Sequence, residues 1–212
     1  ITINEPVATF SYSPSVVVFT RGTSIIDMTP SISGGFAATW EIRPTIPTGL
    51  TFTNGVISGT PSVNLTQTTY TIWANNTGGS ASTTINITIN EPLATFSYPS
   101  SVLVFTRGVS ITNMTPTLGG GFIETWGISP AIPNGLSFIN GIITGTPNVN
   151  LTQTTFTIWA NNTGGSTSTT ISITINEPIA TFSYSPSTVV YTRGVSITNM
   201  TPTLGGGFVE TW

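Results

Sequence analysis

Residues 67–89 read QTTYTIWANNTGGSASTTINITI, and their pattern decides the fold class. Residues 67–74 and 82–89 both alternate between apolar and polar side chains, which is the period of a β-strand with one buried face. The Asn- and Gly-rich segment between them is typical of a turn. We therefore expect two antiparallel strands, the first of which buries Tyr70, Ile72 and Ala74.

A second hairpin is indicated by the shorter stretch LTFTNGVISGTP at residues 50–61. Its Asn54-Gly55 dipeptide is a strong signal for a two-residue type I′ turn, because both residues tolerate positive φ. SVVVFTRG at residues 15–22 and ATWEI at residues 38–42 are expected to form further strands. No segment has a helical period. About seven short strands predict an all-β protein of immunoglobulin-like β-sandwiches.

The whole sequence repeats with a spacing of 86 residues. ITINEPVATFSYSPS at Ile1 returns in closely similar form at Ile87 and Ile173, without insertion or deletion between the copies. We expect the chain to be part of a longer tandem array. The predicted organisation is the last strand of a preceding repeat at 1–6, complete repeats at 7–92 and 93–178, and the first part of a further repeat at 179–212.

The composition excludes several classes of partner. Only 5% of the residues are charged, against roughly 25% in an ordinary globular domain. Four Arg and no Lys cannot neutralise a phosphate backbone, so nucleic acid is not an expected partner. No apolar run approaches the roughly 20 residues of a membrane-spanning helix. A chain this neutral gains little repulsion against self-association, so it is expected to associate or to carry added solubilising groups.

Catalytic and metal sites are not expected. Nucleophilic triads need a base, and the chain contains no His, Lys or Cys to act as one. Carboxylates that could form a glycosidase pair vary between the copies, since Gly127 stands where the first copy has Glu41. Calcium requires six to eight oxygen ligands, usually including several carboxylates, whereas each NEP junction offers one Glu. We therefore predict no enzyme activity, no cofactor and no metal ion.

The charges that recur stand near the ends of each repeat. A sandwich whose first strand pair runs its full length brings the TRG turn close to the next NEP junction. We predict that Arg21 lies near Glu91 and that Arg107 lies near Glu177. An exposed pair of this kind contributes only ~0–1 kcal/mol, so its expected role is to orient neighbouring repeats. The Pro after each Glu narrows φ and stiffens the connection.

The tryptophans fall into two kinds. Trp40 and Trp126 share a strand face with an Ile two residues later, which predicts core positions like that of the central-strand Trp in many Ig sandwiches. Trp73 and Trp159 alternate with the buried positions of their strand, so we expect them to face outward. We expect another group to pack on an exposed indole of this kind, because burial of an indole is strongly favourable.

An N-linked glycan is one group that could pack on the exposed indole. Asn75 follows Trp73 by two residues, roughly 7 Å away on the same face, and begins the sequon Asn-Asn-Thr. Trp159 and Asn161 repeat the arrangement. The first sugar is predicted to lie on the indole; a contact with another subunit and an incidental exposed Trp are the alternatives. The predicted N-glycosylation sites are Asn64, Asn75, Asn86, Asn113, Asn150, Asn161 and Asn199.

Three pieces of each copy carry a family resemblance. They are Pro47–Leu50, Gly55–Pro61 and Ala74–Gly79 in the first copy, and Pro133–Leu136, Gly141–Pro147 and Ala160–Gly165 in the second. Their order and spacing resemble the Putative Ig repeat of microbial surface proteins. The resemblance implies an Ig- or cadherin-like sandwich that serves as a building block of large secreted or surface-anchored bacterial and archaeal proteins. It implies no catalytic activity.

The function expected from the sequence is structural. We predict a segment of an extracellular, N-glycosylated filament, stalk or adhesin at the cell surface. Its expected partners are copies of itself, in a tandem array or a homopolymeric fibre, and covalent N-glycans. Low charge, richness in Thr and Asn, and the sequons favour an archaeal origin, with a bacterial origin still open. The alternatives are a carbohydrate-binding module that uses Trp73 and Trp159, and spacer domains of a large secreted enzyme.

Overall fold

A computed structural model describes residue 1 and residues 3–208, and its regular structure there consists of β-strands. No helix in the described ranges is long and apolar enough to cross a membrane. The first repeat contains β1 (Ala8–Ser11), β2 (Val16–Thr20), β3 (Ser31–Gly34), β4 (Thr39–Arg43), β5 (Leu50–Thr53), β6 (Val56–Gly59), β7 (Leu65–Asn76) and β8 (Gly79–Asn90). The second contains β9 (Ala94–Ser97), β10 (Val102–Thr106), β11 (Thr117–Gly120), β12 (Thr125–Ser129), β13 (Leu136–Ile139), β14 (Ile142–Gly145), β15 (Leu151–Asn162) and β16 (Gly165–Asn176).

Each repeat is an Ig-like sandwich whose main layer is a four-stranded sheet. In the first repeat its order is β2-β8-β7-β4, with β2 parallel to β8 and the other pairs antiparallel. The ladders β1-β3 and β5-β6 contribute the opposing side chains of the core. The second repeat has the same order, β10-β16-β15-β12, with ladders β11-β9 and β13-β14. The eighth strand, added to the seven expected, is β3, whose exposed residues SISG carry no apolar alternation.

The long hairpin extends further than its apolar pattern. β7 and β8 have 12 residues each and pair as far as Asn76 with Gly79. The connection is therefore only Thr77 and Gly78, and the rest of the predicted turn belongs to the strands. Polar residues continue the ladder there because backbone pairing does not require apolar side chains.

The short hairpin has the predicted turn. Asn54 and Gly55 both have positive φ, 50° and 83°, as a type I′ turn requires. Tyr12 fixes the hairpin by donating its hydroxyl hydrogen bond to the carbonyl of Gly55. Trp40 lies against the same glycine, since a Cβ at Gly55 would be 2.9 Å from its Cε2 atom.

The alternating residues of the long hairpin form the centre of the first core. Tyr70, Ile72, Ile85, Ile87 and Ile89 are buried there together with Tyr12, Leu50 and Ile57. The predicted core residue Trp40 packs against this cluster and meets Phe10 edge to face, with ring centroids 4.9 Å apart. Trp126 packs in the same way on the second cluster, formed by Leu103, Leu136, Ile143, Phe156, Ile158, Ile171, Ile173 and Ile175.

Two compact units divide the chain. The first comprises Ile1–Thr95, Gly119–Glu124 and Asn161–Thr167, and the second comprises Phe96–Leu118, Thr125–Ala160 and the residues from Ser168 onward. Two loops of the second sequence repeat thus belong to the first unit. The second unit also holds the short ladder of β17 (Thr181–Ser183) and β18 (Thr203–Gly205), which pair antiparallel. Residues 209–212 of the predicted further repeat lie outside the described residues.

Truncation of a core isoleucine tests this assignment. Ile87 is fully buried in the first core, and Ile87→Ala is expected to lower the free energy of unfolding by about 2–5 kcal/mol. Val18 on the neighbouring β2 is 64% exposed, so Val18→Ala is expected to change it by less than about 0.5 kcal/mol. Urea unfolding of both variants measures the difference, and equal losses would contradict the placement of β8.

Candidate functional sites at the repeat junction and the outer sheet face

The junction begins with a Glu-Pro segment that is bound by the turn of the long hairpin. The Glu5 N–H donates to Thr77 Oγ1 at 3.1 Å. Asn76 Nδ2 donates to the Pro6 carbonyl at 2.7 Å and to the Phe36 carbonyl at 2.9 Å. Hydrogen bonds from one turn therefore fix the backbone of the segment. We call this set of bonds the junction clamp.

The same clamp occurs at the second Glu-Pro segment. The Glu91 N–H donates to Thr163 Oγ1 at 2.8 Å. Asn162 Nδ2 donates to the carbonyls of Pro92 at 2.8 Å and Phe122 at 2.9 Å. All of these residues belong to the first compact unit. Their contacts explain why two loops of the second sequence repeat are counted with that unit.

Glycines make the clamp possible. A Cβ at Gly35 would lie 1.7 Å from the carbonyl oxygen of Pro6, and one at Gly78 would lie 1.8 Å from that of Glu5. At the second junction, a Cβ at Gly121 would lie 2.0 Å from the carbonyl oxygen of Pro92. No side chain fits at these separations, so glycine is required by the close approach of two backbones.

The Glu91 carboxylate forms a second set of hydrogen bonds at the junction. Arg21 binds Glu91 in bidentate geometry, with Nε–Oε1 at 3.0 Å and Nη2–Oε2 at 2.7 Å. Asn64 Nδ2 donates to Oε1 at 2.7 Å, and the Phe122 N–H donates to Oε2 at 3.4 Å. Glu91 is buried, with 7% of its surface exposed, so the expectation of an exposed pair was wrong for this carboxylate. The structure thus brings the predicted pair together and adds an amide that the sequence reasoning did not assign to the junction.

The second carboxylate has a similar but more open environment. Arg107 Nη2 donates to Glu177 Oε2 at 2.5 Å, and Asn150 Nδ2 donates to Oε1 at 2.6 Å. The Glu177 side chain is 37% exposed. This pair, with Asn150, lies within the second unit.

These contacts keep both carboxyl groups ionised. Hydrogen bonding to Arg21, with a smaller contribution from Asn64, lowers the pKa of the Glu91 carboxyl from 4.5 to about 2, although burial opposes the shift. Hydrogen bonds from Arg107 and Asn150 likewise lower the pKa of the Glu177 carboxyl.

The predicted glycosylation sites occupy different environments. The amide nitrogens of Asn64 and Asn150 are engaged with carboxylates, as described above. Asn86, on the outer face of β8, accepts a hydrogen bond from the Thr69 hydroxyl at 2.6 Å through its Oδ1. Asn113 and Asn199 are exposed in irregular segments, and Asn75 and Asn161 are partly exposed at the ends of β7 and β15.

Trp73 and Asn75 lie on the outer face of the main sheet of the first repeat. They alternate with the buried residues Ile72 and Ala74, and both are partly exposed. Trp73 stands opposite Glu41 of β4 in the strand register.

Arg43, two residues further along β4, donates its Nε–H to Glu41 Oε1. The side chains of this ion pair are 74% exposed for Arg43 and 45% exposed for Glu41.

Trp159 has a different neighbour in the second repeat. Gly127 replaces Glu41 there, and a Cβ at Gly127 would lie 2.2 Å from the Cε2 and Nε1 atoms of Trp159. The indole therefore rests on the backbone of Gly127. Ser129 replaces Arg43, so this face carries no ion pair at the corresponding place. The two outward tryptophans differ in surroundings although their own strands are nearly identical.

Sequence reasoning missed the clamp residues Asn76, Thr77, Asn162 and Thr163. The recurrence of NNTGG in both copies was the available signal, but its partner segment lies about 70 residues earlier in the chain.

Within the described ranges, no group of three or more His, Cys, Asp or Glu could hold a metal ion.

A family model described as Putative Ig domain (He_PIG) matches residues 5–90 and 94–176. The chain belongs to the Putative Ig domain family. The first matched range begins at Glu5, the residue whose N–H is held by Thr77. No curated protein matches the chain.

Several solved structures of multidomain proteins are similar to these Putative Ig domains. They include the N-terminal four Ig domains of Dscam1 isoform 6.44, with 11% identity, a TM-score of 0.45 and coverage of 83% of this chain and 47% of that one. Extracellular domains 3–5 of Drosophila OTK show 12% identity, a TM-score of 0.46 and coverage of 79% and 62%. Titin domains z1z2 in complex with telethonin show 14% identity, a TM-score of 0.42 and coverage of 82% and 98%. This chain spans about half of the Dscam1 fragment.

Acid titration tests the buried carboxylate of the first Putative Ig domain. Because the folded-state pKa of Glu91 is depressed, its contribution is fully present above pH 4.5 and is lost as the pH falls from 4.5 towards about 2. Glu91→Gln is therefore expected to be less stable at neutral pH and to lose less stability across that interval. Urea unfolding from pH 7 to pH 2 measures both effects. Equal pH dependence in the variant and the parent chain would contradict the network, with the exposed Glu41→Gln as the matched control.

A methyl group at Gly127 tests the position of the Trp159 indole. Gly127→Ala is expected to displace the ring towards solvent and to shift its fluorescence emission to longer wavelength. Ser129→Ala, on the same strand and face, is the control and is expected to leave the emission unchanged. An unchanged spectrum for Gly127→Ala would contradict the contact.

Proposed function

We propose that the chain is a structural segment of an extracellular surface filament, stalk or adhesin built from tandem Ig-like repeats. The observation that carries the proposal is the environment of Glu91. Its carboxylate binds Arg21 and Asn64 of the first sequence copy, and its backbone N–H binds Thr163 of the second. One residue therefore joins groups from consecutive copies, as the repeating unit of a tandem array requires.

Each sequence copy provides the parts for a further junction. The Arg107–Glu177 pair with Asn150 repeats the carboxylate half. Gly207 repeats the close approach, because its Cβ would lie 1.9 Å from the Pro178 carbonyl oxygen. These contacts support our proposal that residues from 179 onward begin another repeat, and that copies of the same unit are the principal partner in a tandem array or homopolymeric fibre.

N-glycans are the proposed source of solubility. The chain has 5% charged residues, and several sequons lie on exposed or partly exposed backbone. We propose glycans at Asn75, Asn161, Asn86, Asn113 and Asn199. Asn64 and Asn150 are proposed to remain unmodified in the folded chain, because a sugar on Nδ2 would compete with Arg21 or Arg107 for the space around the carboxylate.

Surface exposure of the chain tests the proposed location. An antibody raised against residues 3–208 is expected to label intact cells of the natural host in immunogold microscopy, with labelled material extending from the envelope. Antibody against a cytoplasmic protein is the control. Label that appears only after permeabilisation would overturn the extracellular assignment.

Glycopeptide mass spectrometry tests the sites separately. In protein isolated from its natural host, peptides with Asn75 and Asn161 are expected to carry sugar. Peptides with Asn64 and Asn150 are expected to be bare, because their amides are hydrogen bonded to carboxylates. Full occupancy at Asn64, or bare Asn75 and Asn161, would contradict the assignment.

A further inference from the structure

A cleft of about 370 Å³ lies beside Trp73 on the outer face of the first repeat. Its lining consists of Trp73 and Asn75 from β7, Glu41 and Arg43 from β4, and Ser80 from β8. The volume falls near the lower end of the roughly 300–1,000 Å³ range of small-ligand sites. Three adjacent strands hold these groups, so the cleft is built on rigid elements.

The polar groups of the cleft can contact a ligand. Arg43 uses Nε for its bond to Glu41 Oε1. In the described part of the chain, the Nη groups of Arg43 and the Oε2 of Glu41 make no other hydrogen bond. Arg43 can therefore donate while Glu41 accepts, and Asn75 and Ser80 can do both. The ion pair has no net charge, which favours a neutral ligand with several hydroxyl groups.

An indole beside such groups matches the chemistry of a sugar ring. A pyranose has an apolar C–H face that can lie on an aromatic side chain and a rim of hydroxyls that can bind the carboxylate and the guanidinium. We propose that Trp73, Glu41, Arg43, Asn75 and Ser80 form a saccharide-binding site. The site goes beyond the structural role proposed above and does not require it.

The second repeat lacks this site. Trp159 rests on Gly127, and Ser129 replaces the arginine, so neither charged group is present. The near-identical repeat thus provides an internal control within one chain. The bound sugar can come from a free saccharide or from a glycan on Asn75, and these two sources are distinguishable.

Binding of free saccharide is tested with the full chain made in a host without N-glycosylation. Neutral gluco-, manno- and galacto-oligosaccharides are titrated while the indole N–H signals are followed by NMR. Trp73 is expected to shift and saturate, whereas Trp159 is expected to stay unchanged. Glu41→Gln and Arg43→Gln are each expected to weaken binding at least tenfold, and Trp159→Ala is expected to have no effect. The unshifted signals of the other tryptophans show that each variant is folded.

The glycan of Asn75 is tested in the second arm. In the glycosylated chain, magnetisation transfer between sugar C–H protons and the Trp73 indole is expected, with loss of the contact in Asn75→Gln and weakening in Arg43→Gln. Failure of both arms, or equal effects at Trp73 and Trp159, would overturn the site. Absence of glycans in natural protein would count against the proposed coat while leaving the first arm a valid test.

The double variant Gly127→Glu with Ser129→Arg transfers the two charged groups to the second repeat. It is expected to displace the Trp159 indole from the backbone and to make its signal respond to the saccharide that shifts Trp73. A displaced indole that does not respond to that saccharide would contradict the role assigned to the ion pair.

Discussion

The structure depends on a close approach of two backbones at each Glu-Pro segment. Carbonyl oxygens of the segment lie where a Cβ of Gly35 or Gly78 would be, so only glycine permits the contact. Asn76 then joins the segment to a loop and to its own turn, because its amide donates two hydrogen bonds and accepts two more. The polar stretch NNTGG thus has a long-range structural role in addition to its role as a turn.

The buried carboxylate depends on this clamp. The segment that the turn holds includes Glu91, and the bond from its N–H to Thr163 fixes the backbone from which its side chain projects towards Arg21. A buried carboxylate is favourable only when it is paired and its remaining hydrogen-bonding positions are filled, and here Asn64 and Phe122 provide donors. Asn64 also begins a sequon, but in the folded chain its amide is hydrogen bonded to the Glu91 carboxylate.

Alternation along the chain predicted the long hairpin and its buried face, and the Asn-Gly dipeptide predicted the turn at Asn54-Gly55, because these features depend on neighbouring residues. The proximity of Arg21 to Glu91 also followed from simple topology. The clamp was not predicted, because its hydrogen bonds join side chains of the polar turn, where no apolar or charge pattern marks a partner, to backbone atoms 40–72 residues earlier in the chain. The contact of Trp159 with Gly127 depends on cross-strand register, which period-two patterning does not fix. β3 left no signal because none of its residues is buried.

The parallel pairing of β2 with β8 has a mechanical consequence. Val16 pairs with Asn86 and Thr20 with Asn90, so the chain enters the pair at one end and leaves it at the other. Tension along the polypeptide would pull these strands past each other, and all the hydrogen bonds between them would share the load. An antiparallel hairpin pulled open from one end would instead break its bonds one after another. The topology therefore places β2 and β8 in a shear geometry.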